Sequence, residues 1–142
     1  MPADPPVASQ AAGARVASMG RMLVIDDEDA IRFAAKEYFE AQGFEVDCAQ
    51  ELEEAEALLS NLKYAIVIAD LRLTGIYGTE GLSLVGFVRE RCPGTRIILL
   101  TAYGSPEIEQ EARRLGVDCF LRKPKPLPDV AQIALGLLGR NS

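Results

Sequence analysis

Histidine is missing from all 142 residues, and this gap excludes more chemistry than any other feature of the composition. Without an imidazole the chain has no histidine general base, no Ser-His-Asp triad, no histidine metal ligand and no phosphohistidine of its own. Tryptophan is absent too. The three cysteines, Cys48, Cys92 and Cys119, are far apart, odd in number and show none of the CxxC spacings of zinc or redox sites. Cys48 and Cys119 fall in apolar strand-like runs and are expected as small buried residues in a reducing cytosol. Positive charge is in deficit: 15 basic residues stand against 21 acidic ones, for a net charge of −6, which opposes electrostatic binding of DNA, RNA or anionic lipid. No stretch reaches the roughly 18 apolar residues of a membrane span. The first residues also lack the basic start and continuous apolar core of a signal peptide. A soluble, cytoplasmic protein without direct nucleic-acid or membrane contact is expected.

A chain of this length is one domain's worth, with roughly two-thirds of its unfolded surface buried on folding. Residues 1–20 are mostly Ala, Pro, Gly and Ser, with only Asp4 and Arg15 charged, and show no helical or strand period. They are expected as a disordered N-terminal arm, with Met19 or Met22 as an alternative start. A folded domain over 21–140 follows.

From Arg21 one unit recurs. The run Met22-Leu-Val-Ile ends in Asp26 and Asp27, and 29–42 carries apolar residues at Ile31, Ala34, Ala35, Tyr38 and Phe39. That spacing predicts an amphipathic helix, with Asp29 as its N-cap and Gly43 as its stop. Residues 44–49 predict a second strand, and 51–62 a second helix with the stripe Leu52, Ala55, Leu59 and Leu62. Tyr64-Ala-Ile-Val-Ile-Ala-Asp70 is short, β-branched and without polar alternation, as in a strand buried on both faces. A glycine-bearing loop over 71–78 leads to a helix over 79–91, and Cys92-Pro93-Gly94 makes a turn. A fourth strand is expected over 95–100, a helix beginning at Ser105-Pro106, a fifth strand over 117–121 and a last helix over 127–138. Strict βα alternation predicts an α/β fold: a five-stranded parallel sheet, doubly wound by five helices.

Ligand crevices in such sheets lie outside the carboxyl ends of the strands. There the chain places Asp26 and Asp27, Asp70, Thr101 and Lys123. If strands one and three are neighbours, about 4.8 Å apart, the three aspartates form one carboxylate cluster. Such a cluster suits a hard divalent cation such as Mg²⁺, which takes one or two carboxylates with waters and phosphate oxygens. Each residue also has an ordinary reading: an acidic turn capping a helix for Asp26-Asp27, a loop start for Asp70, a surface lysine for Lys123. Their joint placement on one sheet edge favours the site.

Asp26, Asp27 and Asp70, Thr101-Ala102 and Lys123-Pro124, in this order and on these elements, closely resemble the receiver domain of bacterial two-component response regulators. The chemotaxis receiver is a known example of the flavodoxin-like strand order 2-1-3-4-5 that this resemblance implies. In that order Lys123 starts roughly 10 Å from Asp70, within reach of a lysine stem. The resemblance covers about 21–138. It implies that Asp70 is the phosphoacceptor, attacking a phosphohistidine on a sensor histidine kinase or phosphotransfer protein. It further implies that Asp27 ligates Mg²⁺ directly, Asp26 largely through water, and the backbone carbonyl of Arg72 completes the protein ligands. Lys123 would neutralise charge on the transferred group, and Thr101 would reach the phosphoryl oxygens. Phe120 would rotate inward as Thr101 moves, changing the surface presented to a downstream protein effector. The chain would then be no enzyme toward other molecules, catalysing only its own phosphorylation and dephosphorylation.

The loop after Asp70 departs from the family, with Thr74 where a proline is usual and about three extra residues. Arg72 and Tyr103 are the side chains placed to gate attacking water. The chain ends at Ser142, soon after the last helix, which leaves a stand-alone receiver or a fragment of a longer regulator. Two other functions compete: a receiver-like module that binds its partner without phosphorylation, and a Mg²⁺-dependent phosphohydrolase of the haloacid-dehalogenase type. The second would need an aspartate two residues after its nucleophile, where this chain has Arg72 or Glu28.

Overall fold

The computed structural model describes residues 19–70, 79–102 and 105–139. Strands and helices alternate: β1 Arg21–Ile25, α1 Asp29–Ala41, β2 Glu45–Ala49, α2 Leu52–Asn61, β3 Ile66–Asp70, α3 Thr79–Arg91, β4 Arg96–Thr101, α4 Pro106–Leu115, β5 Cys119–Arg122 and α5 Leu127–Leu137. The five strands form one sheet in the order β2-β1-β3-β4-β5, every pair parallel. The expected fold class is the observed one.

Successive strand residues face opposite sides, and because helices cover both sides the strands are apolar on both. Leu23, Ile25, Val67, Ala69, Ile97 and Leu99 pack with α2, α3 and α4 through Ala55, Leu59, Leu84, Val85, Val88 and Ala112. Met22, Val24, Ile66, Ile68 and Ile98 pack with α1 and α5 through Ala35, Phe39, Val130, Ala131 and Ala134. Each large aliphatic side chain so buried contributes about 1.5–3 kcal/mol of transfer free energy. On the α1 side Phe39 stands edge-on to Tyr38 and Phe44, with ring centroids 5.5 and 6.2 Å away.

Helix ends follow the sequence with one exception. Ser105 accepts a hydrogen bond from Ile108 N–H at 3.2 Å, ahead of Pro106 in the first turn of α4. Gly43 takes a left-handed φ of 105° just beyond the end of α1. Asp29, expected as the N-cap, lies inside the first turn instead. Glu28 precedes the helix and makes no side-chain cap, while its N–H donates to Asp26 Oδ1 at 2.9 Å.

The amphipathic stripes are narrower than the periodicity suggests. Ile31 and Leu62 are exposed, as is Ala34, leaving Ala35 and Phe39 as the buried residues of α1 and Ala55 and Leu59 as those of α2. All three cysteines are free and half-buried, not buried as expected for Cys48 and Cys119, because both strands that carry these two lie at the sheet's edges. Met19 N–H donates to Gly43 O at 2.9 Å and Gly20 O accepts from Glu45 N–H at 3.0 Å, so ordered contacts begin two residues before β1. The rest of the arm, the loop over 71–78, Arg72 and Tyr103 lie outside the described residues.

Candidate functional site

Register brings the strand-end residues together. Ile25 pairs with Ala69, which sets Asp26 level with Asp70 on the neighbouring strand. Asp70 pairs with Leu100 and Thr101 with Arg122, so Thr101 and Lys123 each stand one residue further along. Asp26, Asp70 and Thr101 are all 3% exposed. Burying charged carboxylates this deeply requires a partner.

That partner is Lys123. Its Nζ donates to Asp70 Oδ2 at 2.5 Å and lies 4.0 Å from Asp26 Oδ2. The reach holds because the start of the β5–α5 connection is fixed: Lys123 N–H donates to Thr101 O at 2.7 Å. One ammonium therefore faces two buried acids. Burial raises the Asp26 carboxyl to about 6; the Glu28 N–H opposes this and the adjoining Asp70 adds to it.

Asp27, one residue beyond the buried Asp26 and past the end of β1, is exposed. Among the described residues, no group of three or more carboxylates or thiols is arranged to hold a metal ion. Asp26 and Asp70 come together with a lysine between them; Arg72 is not among the described residues. The donor set still fits a divalent cation, because two adjacent buried carboxylates share a single ammonium and retain negative charge.

Arg32 was not singled out from the sequence. Its Nη1 donates to Asp26 O at 2.7 Å, and Nη2 pairs with Asp29, bracing the β1–α1 turn that carries Asp26 and Asp27. The one available signal was the i,i+3 spacing of Asp29 and Arg32. A cavity of about 290 Å³ adjoins the site, running from Asp26, Asp70 and Lys123 between apolar residues of α1 and α5. A larger hollow of about 590 Å³ opens between the C-terminal ends of α2 and α3, at the opposite edge of the sheet, and shares no residue with the carboxylate pair.

Phe120 is 7% exposed and packs in the cluster on the α2–α3–α4 side. The Arg122 guanidinium lies over its ring, 5.7 Å from the centroid. Arg113, Arg114 and Arg122 are each paired with a glutamate of α4.

Known proteins are similar to this chain in sequence and fold. The family model for the response regulator receiver domain matches residues 22–134. The photosynthetic apparatus regulatory protein RegA of Rhodobacter capsulatus is 30% identical over 122 residues, 86% of this chain and 65% of RegA. The regulatory protein AtoC of Escherichia coli is 32% identical over 80% of this chain and 24% of its own length. The chain thus spans from about a quarter to just under two-thirds of these relatives. A CheY-like receiver domain protein from Methanospirillum hungatei superposes with a TM-score of 0.79 at 27% identity, covering 87% of this chain and 97% of its own. A response regulator from Burkholderia pseudomallei, solved with a phosphorylated aspartic acid and a calcium ion, gives 0.74 at 28% identity over 84% of this chain and 68% of its own. With the strand order and the buried Asp70–Lys123 pair already in place, the match over most of its length makes this chain a member of the response regulator receiver domain family.

Proposed function

We propose that Asp70 accepts a phosphoryl group from a phosphohistidine on a sensor histidine kinase or phosphotransfer protein, and that this switches a surface read by a downstream protein effector. Supporting this is the buried Asp70 carboxylate at the end of β3 with Lys123 Nζ 2.5 Å from it. An Asp70 oxygen attacks phosphorus, the bond from phosphorus to the donor nitrogen breaks, and the imidazole departs with that electron pair. A carboxylate is a weak nucleophile, so rate comes from alignment and from neutralising charge on the equatorial oxygens. Lys123 is placed to transfer its interaction from Asp70 to the incoming phosphoryl group.

Asp26, Asp27, Asp70 and the Arg72 carbonyl would hold Mg²⁺. When bound, the cation supplies charge neutralisation at the phosphoryl oxygens. The Thr101 side chain, buried one residue beyond the level of Asp70, is placed to meet the new acceptor oxygens. Its backbone bond to Lys123 carries that movement toward β5 and Phe120.

Receiver domains are signalling modules, and here catalysis is confined to the protein's own phosphorylation and its hydrolysis. Residues 21–140 form the receiver domain and 1–20 the arm before it, with a cytoplasmic location. The proposal is tested by intact mass after incubation with acetyl phosphate and Mg²⁺. A gain of one phosphoryl group is expected, lost with a chelator and in Asp70→Asn; a gain that persists in Asp70→Asn would refute the assignment.

A further inference from the structure

The arrangement over Phe120 goes beyond what the phosphorylation site requires. Phe120 lies on β5 and is 7% exposed within the α2–α3–α4 cluster. Two residues on, Arg122 folds back so that its guanidinium covers the ring at 5.7 Å. The same guanidinium donates through Nη2 to Glu109 Oε1 of α4 at 3.2 Å. Glu109 is held from its own helix: Arg113 donates to Oε2 through Nη2 at 2.8 Å and through Nε at 3.2 Å. A carboxylate of α4 thus fixes an arginine of β5 over the aromatic residue between the helix and the sheet.

We propose that Arg122, anchored by Glu109, is a positioning residue that latches Phe120 in its buried packing between α4 and β5. This inference rests on the reading of Phe120 as the switch residue. An exposed arginine–carboxylate pair is often inert, because ordering two long side chains cancels the gain. Here that cost is reduced, since Arg113 already fixes the carboxylate and the ring already supports the guanidinium. A half-exposed ion pair and a cation–π contact together move a two-state equilibrium by about three- to tenfold. A ligand that favours the buried packing binds in proportion to the population already in it. The latch therefore raises apparent affinity for a phosphoryl mimic and reduces the structural change that the mimic produces.

The test uses the whole chain, with Arg122→Ala, Arg122→Lys and Glu109→Gln as variants and beryllium fluoride with Mg²⁺ as the probe. NMR reads three things: relaxation of the Phe120 ring protons by a soluble paramagnetic agent, the beryllium fluoride midpoint, and amide shifts over α4 and β5 on saturation. In Arg122→Ala and Glu109→Gln the ring becomes at least threefold more accessible. The midpoint weakens about threefold or more, and the amide shifts over α4 and β5 grow beyond wild type. Arg122→Lys, which keeps charge without a planar face, falls between. Unchanged ring accessibility in both Arg122→Ala and Glu109→Gln overturns the latch, as does a loss of thermal stability with ring accessibility and midpoint unaltered. If beryllium fluoride perturbs no amide near Asp70 in the wild type, the phosphoacceptor reading fails; the ring measurement without fluoride still decides the latch.

Discussion

The phenol of Tyr64 donates a hydrogen bond of 2.6 Å to Asp47 Oδ2, joining the segment leading into β3 to β2 across the intervening β1. Arg21 of β1 donates to the same oxygen at 3.1 Å, so one carboxylate ties three strands at the edge opposite the site. Burial, then the hydrogen bond to Asp47, holds the phenol well above its usual range of titration. Tyr64→Phe keeps the ring and removes the bond. It is expected to cost about 1–2 kcal/mol, since Asp47 retains Arg21, measured by urea unfolding; an unchanged midpoint would show the bond to be neutral.

Asp26 offers a pH signature. Its carboxyl, raised by burial from 3.8 to about 6, binds more protons folded than unfolded between those values. In metal-free protein stability therefore falls as pH rises from about 4 to about 6. Asp70→Asn removes a neighbouring acid and lowers the Asp26 midpoint; a divalent cation, binding the ionised form, lowers it too. Carboxyl carbon shifts followed by NMR against pH would check both, and an Asp26 midpoint near 4 in the metal-free wild type would contradict the expected destabilisation.

Lys123→Ala removes the cation from both buried acids. Loss of one preorganised donor at a charge-developing site typically costs about 100-fold in rate. A time course of intact mass with acetyl phosphate should show slowing of that order, with Asp70 still the only residue modified. Phosphorylation at the wild-type rate would remove Lys123 from the chemistry.

Asp118 carries the far edge of the sheet. Its carboxylate accepts from Ile97 N–H at 2.7 Å, from Arg89 at 3.0 Å and from Arg96 at 3.2 Å. Arg89 also donates to Pro93 O and Thr95 O, fastening the end of α3 to β4 and β5. Asp118→Ala leaves the Ile97 N–H without this acceptor and takes the ion-pair partner from the half-buried Arg89. A loss of about 2–3 kcal/mol is expected from thermal or urea unfolding, with phosphorylation of the folded variant unaffected.

Local pattern carried the elements and the parallel sheet, while the strand order came with the family resemblance. Short β-branched runs such as Ile66-Val-Ile-Ala, helical spacing between them and Ser105-Pro106 at a helix start are signals within a few residues of one another, and strict alternation restricts the sheet to parallel crossovers. The acids at the ends of β1 and β3 and the lysine after β5 were legible as residues at strand ends. That Lys123 could reach Asp70 followed from the strand order; how Asp26 and Asp27 divide between buried and exposed did not. Asp26 and Asp27 are identical and adjacent in sequence, yet one is buried against Asp70 and the other exposed, because pairing with β2 and β3 holds the end of β1 and the chain leaves the sheet one residue later. The 2.5 Å contact between Lys123 and Asp70 spans 53 residues and depends on the order of β3, β4 and β5 and on the Thr101 backbone bond. The Glu109–Arg122–Phe120 arrangement likewise exists only once α4 lies beside β5. Periodicity reports which face of an element is apolar; contacts between distant residues are set by register and by the packing of helices on the sheet, and those arise in the assembled tertiary structure.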